Sequence, residues 1–332
     1  MLVHLLAIYI SLLTASPGSE LYARYGHTAI RVQDTEQHLD AVFNYGCFSF
    51  DSDNFYWRFV KGETYYELGA EPYIYFERAY AREGRTIYEQ PLNLPDSIQQ
   101  QIAQALMVNL QPQNCQYLYN FVFDNCATRP YYLIKNAIKD SLTSSYIGWE
   151  GKTYREFIHH YTGKNSWEDF GINLIFGYRA DQPMTNEQRL FLPEELMFYL
   201  QNATLANGQP LVKQDSATTA TAATTTSPIA HPQTNLTHTI THFQIAPVPW
   251  YKTWLFGLLL FAVFIGSTTI VDRRLKHWSW WIDLPFIVIY IILFAIVIFL
   301  TYFSIHPLVG WNWRLFLFPT VHLCLRLIYI LR

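Results

Sequence analysis

Two apolar runs near the C-terminus constrain this chain more than any other feature. Trp254 to Val271 is 18 residues without a charge, and Leu284 to Phe303 is 20. As α-helices both are long enough to cross a hydrocarbon core of about 30 Å. A third run, Leu315 to Ile330, is shorter and contains His322 and Arg326; an arginine near a span end can snorkel to the interface. The competing reading, a hairpin of core helices in a soluble protein, fits this length and apolarity poorly. The loop Asp272-Arg273-Arg274-Leu275-Lys276-His277 is short and positive, which predicts a cytoplasmic position. Everything before Trp254 then lies on the opposite side of the membrane. Trp250, Trp254, Trp278, Trp280, Trp281, Trp311 and Trp313 fall at or near the span ends, as an interfacial aromatic belt requires.

The rest divides by composition. Residues 1–19 read as a residual export signal, a first strand, or one running into the other. Leu2 to Leu13 is apolar and has signal-like length, but no Lys or Arg precedes it. Residues 20–213 read as one mixed α+β domain. Residues 214–249 contain Ala217 to Ser227, a Thr/Ala tract that cannot bury a core and predicts a flexible linker. Residues 250–332 are the membrane region. The formal charge is −3, which argues against nucleic acid as a partner, because phosphate binding wants clustered Lys and Arg. Cys47, Cys115, Cys126 and Cys324 form no CxxC pair, so neither a zinc ribbon nor a disulfide framework is indicated.

Within 20–213, Gly26 to Val32 predicts a strand and Leu39 to Tyr45 its antiparallel return across the polar turn Asp34 to Gln37. Asn54 to Val60 predicts a helix or lid segment. Thr64 to Ala70 and Arg85 to Gln90 predict strands, with a helix at Tyr75 to Arg82 between them. Pro95-Asp96-Ser97 opens a helix that Asp96 or Ser97 can cap, with Ile98, Ile102, Ala105, Leu106 and Leu110 on its buried face. Thr153 to Tyr161 and Pro193 to Leu200 also read as helical.

The chemistry centres on Tyr119 to Arg129. An aromatic run delivers Cys126 to a predicted helix start, where free amides favour thiolate over thiol. A thiol nucleophile needs a base, and the base an orienting partner. His27 follows Gly26, whose bare backbone permits close approach. Asn44 or Asp40 on the returning strand can fix the imidazole tautomer. Such a pair predicts a thiolate–imidazolium near neutral pH. The backbone amide of Cys126 and the side chain of Asn125 are candidate oxyanion donors. Arg129 suits either a head-group phosphate or a structural salt bridge. Pro130 biases Arg129 away from helix, so the first turn is expected to be irregular, or Thr128 to be the cap. Tyr56, Trp57, Tyr65 and Tyr66 are candidates for an acyl groove, with core packing the plainer alternative. Adjacent His159-His160 with Glu168 and Asp169 reads as solvated or packed rather than as a metal site.

Gly26-His27 at a strand start, with Asn125-Cys126 opening a helix far downstream, resembles the permuted papain-like superfamily. That superfamily includes lecithin–retinol acyltransferase-like proteins and NlpC-like amidases. Closer similarity is to the Lnb family of bacterial lipoprotein N-acyltransferases. It is carried by Ser11 to Thr14, Glu20 to Val32, Val42 to Gly46, Phe123 to Arg129, Asp169 to Ile172, Phe191 to Glu194 and Asn312-Trp313. The resemblance implies a periplasmic papain-like domain with an antiparallel sheet and a transmembrane bundle in the bacterial inner membrane. It also implies acyl transfer through a Cys126 thioester, with His27 as base and Asn44 as its partner, and Asn125, Asp124 and Arg129 on the oxyanion or substrate side. Phospholipid or another lipid would be the acyl donor, a lipoprotein the acceptor, and no metal or diffusible cofactor would be needed. About five spans are implied where three candidates stand, so the bundle is expected to be incomplete. Two other readings stay open: a membrane-tethered cysteine amidase or peptidase of the envelope, and a non-catalytic binding module, which would place His27 and Cys126 apart.

Overall fold

Side chains along a strand alternate between the faces of a sheet, and here both faces are buried. The computed structural model describes residues 8–48, 53–139, 142–146, 148, 152–213, 219–221, 242–243, 246–275, 280–310 and 312. Contacts divide the chain into two units: residues 1–55, 63–151 and 184–244, and residues 56–62, 152–183 and 245–332.

The first unit is built on a seven-stranded antiparallel sheet. Its strands are β1 (Ile8–Ala15), β2 (His27–Asp34), β3 (Leu39–Cys47), β4 (Tyr65–Pro72), β5 (Ile87–Pro91), β6 (Gln116–Leu118) and β9 (Thr219–Thr221), in the order β6-β4-β3-β2-β1-β5-β9. A small pair, β7 (Thr143–Ser144) and β8 (Ala203–Thr204), lies apart. On one face Ile10, Leu12, Ile30, Val32, Phe43 and Tyr45 join the main core. Helices α3 (Asp96–Asn109), α4 (Thr128–Ile138) and α7 (Pro193–Gln201) pack on this side, α3 and α7 against β1 and α4 against β2. On the other face Leu13, Ala29, Val42 and Ile87 pack with Phe76 of α2 (Tyr73–Arg82). Burying each large aliphatic side chain is worth about 1.5–3 kcal/mol, so the alternation fixes the register of all four central strands. The β2–β3 turn closes as expected: Asp34 Oδ1 accepts the amides of Glu36 and Gln37 at 2.9 and 3.0 Å.

Several expectations change here. Residues 8–15 are a fully integrated central strand, hydrogen-bonded to β2 and β5. Thr219–Thr221, inside the expected linker, adds an edge strand to β5; most of the remaining linker lies outside the described residues. Helix α3 has Pro95 at its cap position and no side-chain cap bond, so neither Asp96 nor Ser97 fills that role.

The second unit gathers α1 (Phe55–Lys61) apart from its first residue, α5 (Tyr154–Thr162), α6 (Trp167–Ile175), α8 (Trp254–Leu275) and α9 (Trp280–Phe303). Helices α8 and α9 have 22 and 24 residues, and only 6 % and 11 % of their most apolar windows are buried. Core helices would be mostly buried, so these faces suit lipid. The expected third span, 315–330, lies outside the described residues. Segments 56–62 and 152–183 pack with the membrane helices rather than with the sheet domain, so 20–213 is not one contiguous unit. The Trp57 ring lies tilted against Phe299, with centroids 5.3 Å apart. The Ile305 amide donates to the Lys61 carbonyl at 2.8 Å. Asn312 Nδ2 donates to the carbonyls of Asn173 and Leu174.

Candidate active site

The candidate site forms at one end of the sheet. Ala15, the last residue of β1, pairs with His27 on one side and Ile87 on the other. This brings the start of β2 and the start of β5 together. Gly26 makes the entry possible: its φ is +78°, and a Cβ there would lie 2.8 Å from the Ala15 carbonyl oxygen. His27 shares a face with Ala29, and Asn44 shares one with Val42. Both therefore lie on the α2 side of the sheet, and their rings and amides meet: His27 Nε2 is 2.5 Å from Asn44 Oδ1. An amide oxygen only accepts, so Nε2 carries the proton and Nδ1 is left as the basic nitrogen. Tyr80 of α2 stacks on the imidazole, with centroids 6.4 Å apart and planes 17° apart. Asp40, the alternative partner, is engaged instead by Arg31 through Nε and Nη2, both at 2.7 Å.

Cys126 reaches the same place from the turn that opens α4. The β2–β3 ladder runs only from Asp34/Leu39 to Ile30/Phe43, so the strands part before His27. The backbone amides of Thr28, next to His27, and of Cys126 itself are the groups that favour negative charge on the Cys126 sulfur. Gly46, at φ +94° and beside the register shift in β3, leaves room for the thiol; a Cβ there would sit 3.8 Å from the Cys126 Cβ. His27 and Asn44 are hydrogen-bonded to each other, and the Cys126 thiol lies under the influence of the backbone amide that follows His27.

Asn125, expected as an oxyanion donor, has its whole side-chain amide engaged in positioning this turn. Its Oδ1 accepts the amides of Ala127 and Thr128, each at 2.9 Å. Its Nδ2 donates to the carbonyls of Phe121 and Phe191 at 2.9 and 2.8 Å. Thr128 Oγ1 accepts the Asn125 amide at 2.7 Å, closing a reciprocal box of the capping type. Regular helix starts at Thr128, but the Arg129 amide already reaches back to the Asn125 carbonyl at 3.2 Å. Pro130 has no N–H to return to Cys126, which accounts for the irregular first turn. Thr128 is accordingly the reciprocal partner of a cap made by Asn125. Asp124 and Arg129, expected on the substrate side, form a bidentate pair at 2.6 and 2.8 Å, with the guanidinium 3.5 Å over the Tyr117 ring.

The electrostatics correct a second expectation. Burial pushes the Cys126 thiol up to about 11, against the smaller pull of the Thr28 and Cys126 amides and of Arg85. Burial pushes His27 down to about 4, opposed by its bond to Asn44 and aided by Arg85. Desolvation therefore outweighs the pull of the helix-start amides and disfavours the charged form of both groups.

The comparisons with known proteins decide the affiliation. The model of the Lnb N-terminal periplasmic domain matches residues 3–160, and the model of the Lnb transmembrane domain matches residues 249–332. The chain belongs to the Lnb family. It is a membrane protein with a periplasmic domain, in keeping with the apolar helices α8 and α9. Nothing among curated proteins or solved structures matches it. His27, Asn44 and Cys126 all fall inside the matched periplasmic domain of this Lnb chain.

Three contributors to the site had no local signal in the sequence. They are the Thr28 amide, Tyr80 and Arg85. The first is a backbone group, visible only once the β2–β3 ladder is known to open. The other two reach His27 and Cys126 through the pairing of Ala15 with Ile87 and the packing of α2 on the sheet.

Proposed function

We propose that this Lnb-family chain is a cysteine acyltransferase of the bacterial cytoplasmic membrane, with a papain-like catalytic domain facing the periplasm. In this proposal it N-acylates the N-terminal cysteine of lipoproteins. The observation that carries the proposal is the Asn44–His27 hydrogen bond, with the Cys126 thiol under the influence of the Thr28 amide next to His27. That is a nucleophile with a base and an orienting group, in a chain built on the membrane where lipid donor and lipoprotein acceptor both reside. Arg273 and Arg274 at the end of α8 support the orientation.

In this proposal His27 is a general base acting during attack, because burial disfavours a standing charge on either group. The Cys126 proton passes to His27 as the sulfur–carbon bond forms at the donor ester carbonyl. The carbon–oxygen ester bond breaks, and the departing alkoxide takes the proton from His27. The lipoprotein α-amine then attacks the thioester. The carbon–nitrogen bond forms, the carbon–sulfur bond breaks, and an amine proton returns through His27 to sulfur. The backbone amide of Cys126 is the oxyanion donor in this scheme.

The test is N-terminal acylation of a reporter lipoprotein, read by mass spectrometry in cells that depend on this chain for the modification. Cys126→Ala is expected to abolish it, a loss of at least about 1000-fold for removal of a covalent nucleophile. Acylation unchanged by Cys126→Ala refutes the transferase reading.

A further inference from the structure

Arg85 is a buried cation that the fold does not fully use. The residue is 6 % exposed. Its Nε donates to the Ser16 carbonyl at 2.7 Å, and Nη1 pairs with Glu83 at 3.0 Å. Its Nη2 is buried without a hydrogen-bond partner. The guanidinium lies 4.5 Å from the centroid of Tyr80, the same ring that stacks on His27. Arg85 stands two residues before Ile87, the residue that shares Ala15 with His27. A buried charge with an unspent donor is costly, and an apolar side chain of similar size would serve packing better. The carboxylate of Glu83 is 53 % exposed, so it compensates the charge only from the solvent side.

We propose that Arg85 is a positioning residue of this site, holding the negative charge that appears on the Cys126 sulfur when His27 removes its proton. This rests on Cys126 being the nucleophile. The proton moves from sulfur to His27, and the S–H electron pair stays on sulfur. The charged and titratable groups on the elements packed about the site are His27 from β2, Arg85 ahead of β5, Tyr80 from α2, Cys47 at the end of β3, Tyr117 in β6 with Tyr119 just after it, and the Asp124–Arg129 pair; Arg85, Tyr80, Tyr117 and Tyr119 interact electrostatically with the sulfur itself. The tyrosines and Cys47 are neutral and are pushed further up by burial. Arg129 is matched by Asp124. Arg85 is the cation in this set with a donor to spare. The same charge disfavours a lasting imidazolium on His27, so the proton passes onward to the leaving group.

The experiment uses the full chain in detergent and needs no lipid substrate, so its failure is distinct from failure of acyl transfer. The rate of Cys126 alkylation by iodoacetamide is measured against pH by peptide mass spectrometry, with Cys115 in the same sample as internal standard. Below the thiol midpoint this rate follows the thiolate fraction. Loss of a nearby opposite charge moves such a midpoint by about 1–3 pH units, so Arg85→Gln is expected to slow Cys126 at pH 8 by about tenfold or more. Arg85→Lys is expected to restore most of the rate, and Cys115 to stay unchanged. An unchanged Cys126 rate in Arg85→Gln, or equal slowing in the Lys and Gln variants, overturns the proposal. If Arg85→Gln does not fold, the exposed Glu83→Gln decides: it leaves the cation less compensated and is expected to speed Cys126 alkylation, and no change there overturns the proposal.

Discussion

At the residue scale, His27 and Cys126 are tuned in opposite directions by the same burial. The folded-state value of His27 lies below its ordinary 6.5, at about 4. As pH falls from about 6.5 toward about 4, the unfolded chain binds a proton that the native site refuses. The native state therefore loses the contribution of His27 across that window and keeps it above. The melting temperature of the wild type minus that of His27→Gln should shrink on acidification through this range and be flat above about pH 7.5. A difference that grows on acidification would mean that His27 is a native imidazolium. Cys126 works in the other sense, because its value is raised: its contribution is held below about pH 9 and lost as pH rises toward about 11. The pairing of His27 with Asn44 was legible from residue type and order. The charge state of His27 and Cys126 was not, because desolvation depends on neighbours such as Tyr80 and Tyr119 that arrive from other elements.

At the scale of elements, the turn before α4 shows how a cap can be mistaken for chemistry. Asn125-Cys126 reads as oxyanion donor and nucleophile. In the fold both Nδ2 protons of Asn125 are committed to the Phe121 and Phe191 carbonyls. Asn125→Asp keeps the Oδ acceptors but turns a carboxylate oxygen toward those carbonyls. It should destabilise the periplasmic unit by about 2–4 kcal/mol, seen as a lower midpoint in chemical denaturation. A transition-state role would instead leave stability unchanged and lower only the rate. The β2–β3 hairpin was legible because alternation and the Asp34 turn agree. The first strand was legible only beside the export-signal reading, since Ile10 to Ala15 is buried on both faces and its apolar run matches a signal segment equally well. The register that brings Ile87, and with it Arg85, to Ala15 is a long-range pairing that no local pattern encodes.

At the scale of the molecule, composition separated membrane from periplasmic chain but not the two compact units. Residues 56–62 and 152–183 interrupt the sheet domain in sequence and pack with α8 and α9 in space. Their sequences are ordinary amphipathic helices, so hydropathy alone assigned them to the domain they interrupt. One such contact is the ring of Trp167 against Gly257, where a Cβ would come within 2.7 Å.

The central claim is that an acyl chain passes through Cys126. It is tested most directly by incubating the purified full-length chain with phospholipid in the absence of lipoprotein and determining the mass of the Cys126 peptide. A thioester route leaves a fatty-acyl mass on Cys126 that neutral hydroxylamine removes and that is missing in His27→Ala. Unmodified Cys126 under conditions where a supplied lipoprotein does become N-acylated would contradict it.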